Sequence, residues 1–337
     1  MSAPPAIAKP QPPAISVIMP VGRWDAGVGE CLNAVLRQLS DNDELIVVSD
    51  GLRPPDDLPS GAALFQLPAR AGPAIARNHG AAQAGGEVLF FVDSDVVLSA
   101  NCMARLRRTI QTPGFAAVFG SYDDIPRSPG LVSQFRNLLH HFQHQRSAGP
   151  VSTFFTGCGA VRRDLFLELG GFSNAYDRPA MEDVEFGLRL SARGSTINLD
   201  PELKCTHLKH WTLAMMVKVD FWDRALPWAR LMLGDKPNAW VLNTDTVGRV
   251  SVASTGLLLL CLLLLPLHPG LLPLALVAWA LPLGLHWRFL QLLQGRGGVR
   301  LAAAGTVLLS VHWVVGGFGF SYVCLEWLGQ KLFGNRE

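Results

Sequence analysis

Paired cysteines are missing from this sequence. The six it has, Cys31, Cys102, Cys158, Cys205, Cys261 and Cys324, are scattered with no CxxC pair. That spacing gives neither a disulfide framework nor a zinc site, and it suits a reducing compartment. A charge surplus is missing too. The net charge of +2 is too small for nucleic acid to be the main partner. The first fourteen residues, MSAPPAIAKPQPPA, hold five prolines and no apolar run, so residues 1–14 read as a disordered tail rather than a signal peptide. The sharpest absence is local. Residues 251–325 contain only three charged side chains, Arg288, Arg296 and Arg300, whereas residues 1–250 carry 24 Lys+Arg and 25 Asp+Glu. A soluble α/β body is therefore expected in front, large enough to bury its own core, and a membrane segment behind.

Within the body, Ile15–Met19 and Leu45–Val48 are continuous apolar runs of the kind buried on both faces of a sheet. Short strands are also expected at Leu64–Leu67 and Val88–Val92, with helices over Gly29–Leu39 and from Pro73 to about Ala84. This alternation predicts a parallel, doubly wound α/β sheet, with ligands bound beyond the carboxyl ends of its strands. Further on, the pattern predicts a strand near Ala116–Ser121, a His-rich helix near Leu131–Gln145 and a helix from about Glu182 to Ala192. Pro227 is expected to split Trp211–Leu233 into two short helices.

From Val250 the pattern changes. Val252–Leu267, Leu271–Trp287 and Leu301–Cys324 are apolar and uncharged, each near the ~20 residues that cross a bilayer. The first two would form a hairpin. The loop with the three arginines then lies two crossings from the body and, by the positive-inside rule, in the cytoplasm with it. A hydrophobic helical core in a soluble protein is the alternative, and the near absence of charge over this length speaks against it.

Asp93-Ser94-Asp95 stands directly after the FFV strand. Two carboxylates at i and i+2 can face one hard cation, Mg²⁺ or Mn²⁺, which in turn bridges a diphosphate. A lone DxD is more often a solvated turn; its place at the end of a buried strand favours chemistry. Glu182-Asp183 is the second pair. A carboxylate there can act as a general base toward an acceptor hydroxyl, or simply favour a helix N-terminus. His140, His141 and His144 lie on one helix with no evident third ligand, and read as an exposed or acceptor-facing surface.

These segments together resemble family 2 glycosyltransferases of the GT-A fold. The resemblance rests on ISVIMPV (15–21), IVVSDG (46–51), GPAIARNHG (72–80), EVLFFVDSD (87–95), TGCGAVRRDLFLELGGF (156–172) and EDVEFGLRL (182–190). It implies a Rossmann-like, nucleotide-diphospho-sugar transferase domain over 15–210. Pro20 and Val21 would line the nucleotide pocket, Asp50 would touch base or ribose, and Arg77 would touch the nucleotide or its diphosphate. Asp93, Ser94 and Asp95 would hold donor and metal, with His207 as a further metal ligand. Asp183 would be the catalytic base and Glu182 would position the acceptor. One departure is Gly22-Arg23-Trp24-Asp25, where family members often have Tyr-Asn and an acid. The QxxRW motif of processive synthases is not matched by Arg224-Ala-Leu-Pro-Trp228.

The expected protein is thus a GT-A domain (15–210), amphipathic interfacial helices (211–249), three transmembrane helices (250–325) and a C-terminal tail (326–337). Its expected reaction is metal-dependent, inverting transfer from a nucleotide sugar, UDP-linked by preference. The acceptor would be lipid-linked or a membrane-proximal glycan hydroxyl. Its partners would include membrane lipids but no nucleic acid, and its place the inner membrane, multi-pass, with the catalytic domain cytoplasmic. Rivals are transfer to polyprenyl phosphate, a nucleotidyltransferase, and a degenerate non-catalytic domain. The first needs no general base, the second usually has a basic Gly-rich loop after the first strand, and the third would not need three carboxylate motifs in order.

Overall fold

The computed structural model describes residues 13–175, 180–233 and 246–333. Most of the expected N-terminal tail (through residue 12), residues 234–245 of the expected interfacial region, and residues 334–337 of the expected C-terminal tail lie outside these residues.

The front half is an α/β domain. In chain order it runs β1 (Ile15–Val21), α1 (Ala26–Leu36), β2 (Glu44–Ser49), β3 (Ala62–Gln66), α2 (Pro73–Gln83), β4 (Val88–Val92), β5 (Val96–Leu98), α3 (Cys102–Ile110), β6 (Phe115–Tyr122) and α4 (Leu131–Arg146). It continues with β7 (Gly149–Val151), β8 (Cys158–Arg162), α5 (Arg163–Glu168), α6 (Glu182–Ala192) and β9 (Thr196–His207). One sheet has the strand order β3-β2-β1-β4-β8-β6-β9-β5, with β7 also on β9.

β1 to β4 are parallel, as the sequence pattern predicts. The rest of the sheet corrects that pattern, because β8 runs antiparallel between β4 and β6 and β5 runs antiparallel to β9. The sheet is mixed. Strand–helix alternation carries no signal of this reversal, since β8 reads as one more apolar run. β1 is buried along its whole length. Ile15, Val17 and Met19 pack beneath α1 and α3, while Ile18 faces α2 and α6, the period of two that a strand imposes. Pro20 is tolerated in this central strand because the β4 ladder ends at Ile18, leaving Pro20 opposite only Val48. α1 begins three residues earlier than its apolar stripe suggests, because Asp25 caps it by accepting from Gly27 N.

After the sheet come α7 (Leu213–Lys218), a π-helical stretch (Val219–Ala225) and α8 (Leu226–Leu233). Pro227 does not break this region into separate helices. The wider π turn just ahead of it absorbs the missing N–H and the ring's clash with the preceding turn. Then follow α9 (Thr246–Leu264), α10 (Leu272–Leu285) and α11 (Trp287–Phe333). α9 and α11 are long and apolar enough to cross a membrane, and leucines 260, 262 and 263 of α9 are exposed. α10 is shorter than the expected Leu271–Trp287 span. The expected arginine loop is helical instead: α11 starts at Trp287 and kinks at Gly297-Gly298, where Gly298 takes a φ of 68° that side-chain-bearing residues rarely adopt. Phe289 and Leu293, ahead of the kink, are buried against Phe135 of α4. α11 continues to Phe333, so the tail expected from 326 begins as helix.

Candidate active site

Three elements converge at the carboxyl end of the parallel strands. β4 ends into Asp93-Ser94-Asp95, α2 contributes Arg77, and α6 opens with Glu182-Asp183. Arg77 is 4 % exposed and joins the other two. Its Nη2 donates to Asp93 Oδ1 at 2.7 Å, and its Nη1 donates to Glu182 Oε1 at 3.0 Å. Burial works against the guanidinium charge, but Asp93 and Glu182 hold its proton more firmly than usual.

α6 is held in place by two features. Phe186 is buried among Phe154, Phe166 and Phe172, with ring centroids 5.1–5.7 Å away. Gly187 lies so close to the 153–154 backbone that a Cβ would come within 2.4 Å of Phe154 N. α6 is therefore seated flat on that segment, and Thr156 meets Asp183: its N and Oγ1 lie 3.3 and 3.4 Å from Asp183 Oδ2. Burial raises the Asp183 carboxyl, and the charge of Glu182 adds to this, up to about 7. Arg77 and the amides of Thr156 and Val184 act in the opposite direction.

The other expected residues divide by what already binds them. Glu182 is buried, with one oxygen on Arg77 and the other accepting from Ala180 N at 2.9 Å. Its carboxylate is thus turned to Arg77 rather than outward. Asp50 accepts from Ala71 N (2.7 Å) and Gly72 N (3.1 Å), pinning the turn that leads into α2. Pro20 and Val21 are buried at the end of β1, and Val21 O accepts from Asp50 N. Ser94 is half-buried between the two aspartates.

Residues 16–170 match the family model described as glycosyl transferase family 2. This domain belongs to that family. Among curated relatives, the chain is 29 % identical over 124 residues to Glycosyltransferase GlyG of Streptococcus pneumoniae serotype 4, covering 34 % of this chain and 41 % of that protein. It is 29 % identical over 158 residues to Succinoglycan biosynthesis protein ExoM of Rhizobium meliloti, covering 45 % and 49 %. The chain thus spans less than half the length of either. Among solved structures it is similar to the mannosyltransferase PcManGT from Pyrobaculum calidifontis in complex with GDP-Man and Mn²⁺. That likeness has a TM-score of 0.54 at 16 % identity over 97 % of this chain and 89 % of the other, and it shows the GT-A-like fold.

In this glycosyltransferase family 2 domain, the divalent-cation donor set can be tested on geometry. His207 Nε2 lies 3.4 Å from Asp95 Oδ2, at the point where β5 pairs with β9. Burial works to raise Asp95, but the hydrogen bond and charge of His207, with Lys209, hold it below its ordinary value. Asp93 is turned to Arg77. Among the described residues no three His, Cys, Asp or Glu side chains form a ready cage. A carboxylate and an imidazole, with a second carboxylate nearby, fit a Mg²⁺ or Mn²⁺ whose remaining positions come from diphosphate and water.

Two neighbours lay beyond sequence reasoning. Thr156 sits inside a quoted motif, yet nothing in its spacing ties it to Asp183. Tyr122 stacks on His207 with ring centroids 4.5 Å apart and planes 7° from parallel. The His-rich helix face is a correction. It is turned inward: His141 and His144 are buried on β6, and His141 Nδ1 lies 2.9 Å from Tyr122 O. Burial lowers His144 to about 4. Periodicity alone cannot tell a polar face that meets solvent from one that satisfies a strand's backbone.

Proposed function

We propose that the chain is a membrane-anchored, metal-dependent, inverting glycosyltransferase. It would move one sugar from a nucleotide sugar, UDP-linked by preference, to a hydroxyl on a lipid-linked or membrane-proximal acceptor. The observation that carries this reading is Asp183: a carboxyl raised to about 7, next in sequence to Glu182, which Arg77 bridges to the DxD aspartate. A base near neutrality takes a proton efficiently at working pH. Asp183 would accept the acceptor's hydroxyl proton as that oxygen attacks the anomeric carbon and the nucleoside diphosphate leaves from the opposite face. Thr156 and Val184 aim the carboxylate. Glu182 and Asp93 hold Arg77 where it faces the donor's charge. Asp95 and His207, with Asp93, would hold Mg²⁺ or Mn²⁺, which when bound neutralises charge developing on the leaving diphosphate. PcManGT, solved with GDP-Man and Mn²⁺, is consistent with this donor class.

Membrane anchoring is supported by α9 and α11 and by the packing between them and the domain. Trp228 of α8 packs on Met181, Val184 and Leu188 around the start of α6, so the membrane-proximal segment borders the base itself. Arg296 is ion-paired with Asp124 of the catalytic domain. The stretch before the Gly297 kink therefore returns to the domain's side, which supports a cytoplasmic body with residues 299–333 as the last crossing. A hydroxyl acceptor is favoured over polyprenyl phosphate because an anionic phosphate acceptor needs no such base. The purified protein should be assayed against a panel of nucleotide sugars, GDP-mannose included, with and without Mn²⁺. Donor-dependent transfer that requires Mn²⁺ is expected; transfer undiminished in EDTA would overturn the metal-dependent reading.

A further inference from the structure

Behind the Asp95–His207 pair runs a line of contacts that ends in the membrane helices, and the reaction just described does not use it. His207 stacks on Tyr122. The Tyr122 ring is backed by His140 of α4, 5.6 Å away. His140 Nε2 lies 3.0 Å from Arg224 Nη2 in the π-helical stretch. A guanidinium only donates, so His140 Nε2 is the acceptor and the ring is neutral, with its proton on Nδ1. Arg224 in turn lies 3.6 Å from Asp220 Oδ1. Asp220, 3 % exposed, is clamped by Arg136 of α4 at 3.0 Å and by His312 of α11 at 2.8 Å.

We propose that Arg224 is a positioning residue for the cation site: anchored by Asp220, it fixes the His140 ring, which holds Tyr122 flat against His207 and so aims His207 at Asp95. The inference rests on the metal-dependent reading above and adds a role for the membrane-proximal segment within it. Arg224 touches neither donor nor cation. It acts through two aromatic contacts and one hydrogen bond, each of which restricts a rotation. Asp220 and Arg224, at i and i+4 within the π-helical stretch, share the face that meets α4. Docking of the segment on α4 and α11 would thereby complete the cation site, so that a domain detached from its membrane helices binds the ion weakly.

The test uses the full chain in lipid nanodiscs, with Mn²⁺ binding in the presence of UDP read by electron paramagnetic resonance, independently of turnover. Arg224→Met keeps the stem and removes the donor; it should weaken Mn²⁺ binding by about 5–30-fold, the lower part of the span of ordinary couplings between sites. Arg224→Lys still donates to His140 and should recover to within about 3-fold. In a His207→Ala background, Arg224→Met should add nothing further, because the line is already cut. If Arg224→Met does not yield folded protein, His140→Gln, which accepts from Arg224 but offers no ring to Tyr122, should weaken binding to the same extent. Parental affinity in Arg224→Met, or an equal loss in both backgrounds, overturns the inference. A parent that binds no Mn²⁺ with UDP overturns the metal-dependent reading itself, which is a different result.

Discussion

Arg77 Nη2 donates to Asp93 at 2.7 Å, and the same guanidinium reaches Glu182 at 3.0 Å from inside the protein. The acid that ends β4 and the acid that opens α6 are thus spaced by one cation. Any shift of α6 moves Asp183 relative to the DxD loop, and Arg77 opposes it. Lysine could not substitute, because an ammonium is a point charge without the guanidinium's fork.

That bridge gives the first prediction. Arg77→Met leaves Glu182 buried without its partner, and breaking a buried ion pair from one side costs about 3–5 kcal/mol. A marked fall in apparent melting temperature is expected, with loss of transfer. Arg77 also pulls the Asp183 carboxyl down, so any residual activity should need a higher pH. Arg77→Lys should fall between the two in stability. An Arg77→Met protein that melts and transfers like the parent would show that the bridge is dispensable.

The second prediction concerns the cation. Asp95 pairs with His207 and is not part of the Arg77 bridge, so Asp95→Asn removes the carboxylate proposed to hold the cation without orphaning a buried charge. The expected outcome is unchanged melting, weakened binding of UDP-sugar in the presence of Mn²⁺, and abolished turnover. Calorimetry beside a transfer assay checks all three.

How far the sequence could be read depended on whether a feature was local. β1, β2 and β4 were legible because a strand buried on both faces is a run of Ile, Val, Leu and Phe. The DxD turn and the opening of α6 were legible because polar residues end such runs abruptly. The antiparallel insertion of β8 was not, since strand direction depends on the path of the chain and not on composition. The pairing of Arg77 with Glu182 was invisible for a similar reason: it joins residues 105 positions apart. The inward turn of the His-rich helix leaves no trace in the sequence, because His141 meets the Tyr122 carbonyl, a partner no periodicity reveals. The arginine stretch near 288–300 was expected as a loop, but Phe289 and Leu293 make it an amphipathic helix seated on α4.

That seat leads to the third prediction, on topology. Gly295 has open space where a Cβ would be, so a cysteine there should not disturb packing, whereas one at Gly297 would strike Leu301. With the catalytic domain cytoplasmic, Gly295→Cys should resist impermeant thiol reagents added outside cells and react after permeabilisation. A reporter fused after Glu337 should appear outside. A cytoplasmic reporter would mean that residues 299–333 lie along the membrane rather than across it.

The last prediction separates chemistry from binding at Asp183, and its sign is set by the raised carboxyl. As a base Asp183 must be ionised, so kcat should rise with pH through about 7 and level off above. Asp183→Asn removes the carboxylate proposed as the base and keeps the shape. Transfer should fall by 10²–10⁴-fold, about 3–5 kcal/mol of barrier, while the affinity for UDP-sugar survives. Stability should move the other way. The folded carboxyl binds its proton more tightly than the unfolded one, whose ordinary value is 3.8. Its favourable contribution is therefore complete below about pH 4 and is lost as pH rises toward 7 and beyond. At about pH 8.5 the parent carries an ionised carboxylate beside buried Glu182, and the asparagine variant does not. Asp183→Asn should then melt at least about 2–4 °C higher than the parent, an advantage that shrinks at about pH 5. An inactive variant that is also less stable at alkaline pH would show that Asp183 serves the fold through Thr156 rather than the reaction, and would move the search for the base elsewhere on α6.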